Sequence, residues 1–265
     1  MGIYEIYDEE NDMTLGALIH YQKENQFIIE LIDDVDEWNC PLLFSAYVKN
    51  NIYTISRDDS RKWVEERVIP SGRQNIQSIL KRHKLPMYNE MDLLKISQGR
   101  CSLDELVIKP LDELPEYVQK RMEKNLEDCV PLKNGRIMCV FADKTVKKID
   151  MHKLQDLKGI ENVLKNQELF SSAVVATGGY VMTFNNSIDV PAARLHDIDD
   201  ADCIDKEDLI EYMQHNLKDT GETCEALGCT RQNMAYYLSK GYIKPIKENV
   251  KGNMFLKGDI LKLMW

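Results

Sequence analysis

The densest run of base- and phosphate-seeking side chains in this sequence is Thr230-Arg231-Gln232-Asn233, with Tyr236 shortly after. An Arg fork matches a guanine edge or a phosphate, and a Gln pairs with adenine. The spacing predicts a helix. At about 100° per residue, with Met234 at the centre of the buried side, Thr230, Tyr237 and Leu238 fall within about 60° of it. Gln232, Tyr236 and Ser239 then point the opposite way, and Arg231 and Asn233 lie on the flanks. A helix offering these groups from its N-terminal half suits the major groove of duplex DNA. Lys240, Lys244, Lys247 and Lys251 follow at positions suited to phosphates. The candidate DNA-binding set is therefore Thr230, Arg231, Gln232, Asn233, Tyr236, Lys240, Lys244, Lys247 and Lys251.

The flanking sequence supplies the elements that would hold these side chains. Cys224, Ala226 and Leu227 form one apolar face of a preceding helix. Gly228 follows, where a short turn needs a residue that tolerates positive φ. Thr230 is the expected N-cap of the second helix and Gly241 its close. Tyr242 to Lys247 reads as a short strand, Asn249 to Gly252 as a turn and Asn253 to Leu256 as the returning strand. Asp259 starts a last apolar helix. The order of parts is a helix-turn-helix followed by a wing. The segments E-A-L-G-C-T-R-Q-N-M, K-G-Y-I-K-P-I and F-L-K-G-D-I-L-K-L make the stretch resemble the winged helix-turn-helix of the MerR and excisionase families, over about a sixth of the chain. The resemblance implies DNA binding. It departs from the family in lacking the long dimerisation helix after the wing. A homodimer is therefore expected through the front half, where apolar strands offer an edge.

Charge is distributed to match. The whole chain carries −10, but residues 216–265 hold eight Lys or Arg against five Asp or Glu, a net of +3, leaving −13 on the other 215 residues. The field is positive where the motif is. The acidic N-terminus, MGIYEIYDEEND, predicts no secretory signal, and no apolar stretch approaches the ~20 residues of a membrane helix. Seven scattered cysteines without CxxC pairs fit a reducing cytoplasm and buried thiols rather than disulfides or a metal site. Cys224 and Cys229 are read as small core residues.

Ahead of the motif, Ile3 to Tyr7, Leu15 to Tyr21 and Gln26 to Ile32 read as strands, the last two as a hairpin. Helices are expected at Pro41 to Asn50, at Arg57 to Arg67 with Trp63 inward, at Arg73 to Lys84, and at Asn89 to Ser97. The runs LGALIHY…FIIELID, VIPSGRQNIQSIL and DLLKISQGRCS loosely resemble the N-terminal domain of HipA-type kinases, over about 14–108. That resemblance implies contact with a protein partner. It implies no kinase activity, because no glycine loop or Asp-Phe-Gly follows. Lys109 to Asp128 reads as a charged helical connector. Strands are expected at Arg136 to Ala142, Thr145 to Asp150, Ser172 to Ala176 and Tyr180 to Phe184, with helices at Gly159 to Lys165 and around Leu169-Phe170. The order VFADKTVKKIDM…LFSSAVV…GYVMTF…SIDVPAARL resembles the small bacterial family called domain of unknown function 2442, which has no assigned activity. Asp197 to Asp208 reads as an acidic linker.

The five histidines are isolated in sequence, and HExxH, GxSxG, Walker and GxGxxG patterns are absent. The reading is thus a non-enzymatic, multidomain α+β protein without cofactor or metal. It has an α+β domain over 1–126, a hairpin-rich α/β domain over 127–200 and a winged helix-turn-helix over 205–265. The expected function is sequence-specific binding of double-stranded DNA by a cytoplasmic bacterial transcriptional regulator. The alternative is a protein-interaction module, such as a toxin–antitoxin partner.

Overall fold

The structure, a computed structural model, describes residues 1–199, 201–250 and 252–265; for 247–250, 252–254 and 256 it describes the backbone alone. The fold is α+β, with small antiparallel sheets and short helices. The chain divides into two compact units, 1–119 and 120–265. Among the described residues no helix is long and apolar enough to cross a membrane.

The first unit opens with β1 (Gly2–Asp8), β2 (Met13–Tyr21) and β3 (Gln26–Leu31). Helices α1 (Leu42–Lys49), α2 (Arg57–Glu65), α3 (Ile76–Arg82) and α4 (Glu90–Ser97) follow, then β4 (Leu106–Pro110). The antiparallel sheet has the order β3-β2-β1-β4. Its core joins Ile6, Leu18, Phe27 and Ile29 to Phe44, Trp63 and Leu94 from the helices. Side-chain caps start two of those helices, Ser56 for α2 and Asn89 for α4, each satisfying an N–H that the first turn leaves without a partner. Ser60 accepts the N–H of Ile29 at 3.0 Å, tying α2 to β3.

α5 (Glu116–Met122) leads into the second unit. The segment Lys109 to Asp128, expected as one helical connector, is helical only there. Its start belongs to β4, paired with the free edge of β1, and its end to a new strand. Pro110 and Pro115 break the helical run, since proline lacks the N–H that a helix interior needs. The partner of the first run is distant in sequence, whereas that of the second, residues 136–141, lies across a short loop.

In the second unit β5 (Leu126–Pro131), β6 (Arg136–Phe141) and β7 (Val146–Asp150) form one antiparallel sheet. α6 (Ile160–Lys165) and α7 (Gln167–Ser171) lead to a second sheet of β8 (Ala173–Val175), β9 (Val181–Phe184) and β10 (Ile188–Pro191), and α8 (Ala192–His196) follows. Ile137, Phe141, Ile149, Phe170, Met182 and Phe184 fill the core between these elements.

The acidic stretch expected as a linker is tied to this body. The Asp202 N–H donates to the Lys148 carbonyl at 2.8 Å, and its carboxylate accepts from Arg136 at 2.5 Å. Asp205 and Asp208 form a reciprocal capping box that starts α9 (Lys206–Asn216). Ile204 and Tyr212 pack on Val130, Leu132 and Met138.

The chain ends with β11 (Leu217–Lys218), α10 (Thr220–Ala226), α11 (Arg231–Lys240), β12 (Lys247–Val250), β13 (Gly252–Leu256) and α12 (Lys257–Met264), the strands ordered β11-β13-β12. α12 lies on β5. A Cβ added to Gly258 would stand 2.9 Å from the Glu127 carbonyl oxygen. Lys262 reaches the Glu127 carboxylate at 2.7 Å, and Trp265 packs against the core of the two preceding sheets. Middle and C-terminal segments thus share one compact unit.

Candidate nucleic-acid interface

α10 starts at a capping box. Asp219 accepts the N–H of Glu222 at 2.8 Å, and Glu222 accepts that of Asp219 at 2.9 Å. Thr223 is fully buried and its hydroxyl donates to the Asp219 carbonyl at 2.6 Å. Ala226, expected on the buried face, is exposed, and Thr223, Cys224 and Leu227 face inward instead. Gly228 has φ 59°, and the Cys229 N–H returns to the Cys224 carbonyl at 2.9 Å. Both cysteines are half-buried, and burial raises the Cys229 thiol above its ordinary range.

Thr230 caps α11, its hydroxyl accepting the Asn233 N–H at 3.3 Å. It was expected near the buried stripe, but a cap sits outside the helix, and Thr230 is exposed. Gly241 ends the helix at φ 71°, a left-handed conformation that glycine adopts without steric cost. Met234, 1% exposed, packs with Ile243, Phe255 and Ile260, and Tyr237 and Leu238 border that cluster. Arg231, Gln232, Asn233, Tyr236, Lys240 and Lys244 are exposed. The first four of these are thus exposed on one helix, Arg231, Gln232 and Asn233 in its first turn and Tyr236 past its middle. Among the described residues Arg231 and Lys244 have no ion-pair partner.

No acid occupies the first turn of α11, and Arg231 stands there instead. A cation at the positive end of a helix dipole is unfavourable, and an incoming phosphate reverses that. Arg231 and Gln232 are both exposed at that helix start.

The wing differs from expectation at its start. Tyr242 to Ile246 is not a strand; pairing begins at Lys247, opposite Met254. Pro245 has no N–H for a ladder, and Ile243 turns into the core, 3% exposed. Asn249 lies in β12 and Gly252 in β13 rather than in a turn. Lys251 lies outside the described residues, as does the side chain of Lys247.

The tyrosine group at the end of α11 escaped the sequence reading. The rings of Tyr236, Tyr237 and Tyr242 lie 6.2–6.3 Å apart, and the Lys240 ammonium is 5.8 Å from the Tyr236 ring centre. Gly241 reverses the chain, and the Tyr242 N–H bonds the Tyr237 carbonyl at 3.0 Å. The signal available was a Tyr one residue past a helix-ending Gly.

Two histidines that look isolated in sequence have carboxylate partners. His152 Nδ1 lies 2.7 Å from Asp150, and His196 Nε2 2.8 Å from Asp143. Thr145 also donates to Asp143, at 2.6 Å. The carboxylate sits between hydroxyl and imidazole, so the imidazole is not placed to take the hydroxyl proton as a triad requires. Among the described residues no group of His, Cys, Asp and Glu could hold a metal ion. Compared with family models, with curated proteins and with solved structures, the chain matches none.

Proposed function

We propose that the C-terminal segment binds duplex DNA sequence-specifically, with α11 in the major groove, and that the protein is a non-enzymatic transcriptional regulator of the cytoplasm. The observation that carries this is the two-sidedness of α11. Met234 is buried while Arg231, Gln232, Asn233 and Tyr236 face solvent at a capped, acid-free helix start. The helix pair, turn and three-stranded wing keep the order of parts for which the MerR and excisionase resemblance was drawn. In this reading Arg231, Gln232 and Tyr236 meet base edges, while Lys244 and the wing lysines meet phosphates. Paired half-sites would engage a homodimer joined through the first unit.

A second reading rests on Tyr236, Tyr242 and Ile246, each more than half exposed. Aromatic and aliphatic side chains gathered this way also suit a protein partner.

Competition titration of the full chain on a selected duplex and its single-base variant separates the two. The DNA reading expects affinity to fall steeply with salt. Gln232→Ala then flattens the preference between the two duplexes, because a bidentate base contact is worth roughly 1–3 kcal/mol of discrimination. Lys244→Ala weakens both duplexes alike and lowers the salt slope by about one unit. Absence of binding, salt-independent binding, or a preference altered by Lys244→Ala but not by Gln232→Ala would count against the reading.

A further inference from the structure

The turn between α10 and α11 closes as a Schellman motif. The Cys229 N–H bonds the Cys224 carbonyl at 2.9 Å, and inside that bond the Gly228 N–H reaches the Glu225 carbonyl at 3.0 Å. Gly228 takes the left-handed conformation that the motif needs. The two nested bonds bring the residue third from the helix end against the residue just past the glycine, a contact that apolar side chains often fill. Here both residues are cysteines. Both pack on the cluster around Met234, and their thiols are hydrogen-bonded to each other.

Thiol–disulfide exchange needs access as well as closeness. Cys129 and Cys139 face each other across β5 and β6, but they are 1% and 0% exposed, and burial pushes the Cys129 thiol up to about 12. A small disulfide has no path to them. Cys224 and Cys229 are both half-buried, so closeness and access coincide there. Burial raises the Cys229 thiol above its ordinary range. A raised thiol is a poor first attacker, so the first attack falls to Cys224.

We propose that Cys224 and Cys229 are a reversible redox-modification site, oxidised by small disulfides to a bond that ties the last turn of α10 to the residue before the α11 cap. Cys224, as thiolate, attacks one sulfur of oxidised glutathione. The glutathione S–S bond breaks, and the departing glutathione takes up the proton that Cys224 gave. Cys229, deprotonated in turn, attacks the Cys224 sulfur and expels the second glutathione, which takes up the proton of Cys229. Two protein thiols are oxidised, and one small disulfide is reduced to two thiols. The site is independent of DNA recognition and is read without DNA.

The test is exposure of the full chain to oxidised and reduced glutathione in varied ratio, an acid quench, blocking of free thiols with N-ethylmaleimide in denaturant, and mass mapping. Both cysteines fall in one tryptic peptide, residues 219–231. That peptide is expected unblocked and two hydrogen masses lighter, with its halves still joined after cleavage at Glu225. Dithiothreitol should restore both blocked thiols, and Cys129 and Cys139 should stay reduced throughout. Cys229→Ser should instead hold one glutathione on Cys224, because nothing expels it. The bond should form at a ratio of oxidised to reduced glutathione about tenfold lower in the folded chain than in urea, because the fold raises the effective concentration of one thiol beside the other. Recovery of the peptide with both thiols blocked, two glutathiones on it, a Cys129–Cys139 bond formed ahead of it, or a bond that forms no more readily in the folded chain than in urea would each overturn the proposal.

Discussion

Two carboxylates of the second unit show how differently one residue type behaves when its surroundings differ. At Asp143 burial works to raise the pKa, but hydrogen bonds from Thr145 and His196 prevail and hold it at about 2. Its contribution to stability is present above the unfolded value and is lost as pH falls through about 2. Asp128 goes the other way. Burial dominates, Lys257 and the Cys129 N–H oppose it, and the carboxyl is pushed up to about 6. The folded chain then takes up a proton near pH 6 that the unfolded chain takes up near pH 4. Stability from this group is full below about pH 4, is lost as pH rises to about 6, and is level above that. A shift of that size corresponds to something on the order of 3 kcal/mol. Asp128→Asn should remove this part of the pH dependence. Urea unfolding of both proteins at pH 4.5 and 7.5 measures it: the variant should lose less stability between the two. Equal losses would mean that the Asp128 charge is not desolvated as its burial indicates.

Elements with a clean local pattern were legible in the sequence, and those whose pattern is broken by a buried charge or masked by acidic composition were not. α11 follows from Thr230 at one end, Gly241 at the other and a helical stripe through Met234, all within its own length. The hairpin of β6 and β7 likewise follows from alternation around Asp143-Lys144. β5 pairs with β6 across only the short loop 132–135, but a buried Asp128 breaks its apolar alternation and hides the strand. α9 was hidden by its charge. Composition alone does not tell a free acid from Asp205 and Asp208 closing a capping box, or from Asp202 held by Arg136. The outward direction of Gln232 and Tyr236 was readable from angle alone, whereas the Tyr236–Tyr237–Tyr242 group depends on a chain reversal at Gly241. The cap of α11 offers a prediction at this scale. Thr230→Ala removes one N–H acceptor at a helix start, which typically costs about 1 kcal/mol. The 3.3 Å length of that bond places the expected loss at or below this figure. Urea unfolding of the full chain checks it, and a loss above about 2 kcal/mol would show that Thr230 does more than cap.

The division into two units separates charge as well as structure. Residues 1–119 hold 13 Lys or Arg against 22 Asp or Glu, a net of −9, whereas residues 120–265 hold 21 against 22. Nearly all the acidity that works against DNA therefore lies in the first unit. The winged segment, by contrast, is bound into the second. Tyr212 packs on Val130, Leu132 and Met138, α12 seats Gly258 against β5, and Trp265 reaches the sheet core. A fragment of residues 205–265 would expose those surfaces and keep a small core around Met234, Ile243, Phe255 and Ile260. A chain of that length buries too little apolar surface to be more than marginally stable. Two fragments should thus behave differently. Residues 120–265 should melt cooperatively and bind a duplex with a single half-site at least as tightly as the full chain, with the gain largest at low salt, where removing a net of nine negative charges matters most, while losing the tighter binding to paired half-sites that a dimer through the first unit would give. Residues 205–265 should melt at a lower temperature and bind more weakly, despite carrying every proposed DNA contact. Circular dichroism melts and fluorescence polarisation on the three proteins at two salt concentrations make the comparison. If 205–265 matches 120–265 in both melting and affinity, the seat of α12 on β5 contributes nothing to the proposed DNA-binding surface. If 120–265 binds more weakly than the full chain at low salt, the acidic unit contributes contacts or a dimer that outweigh its charge.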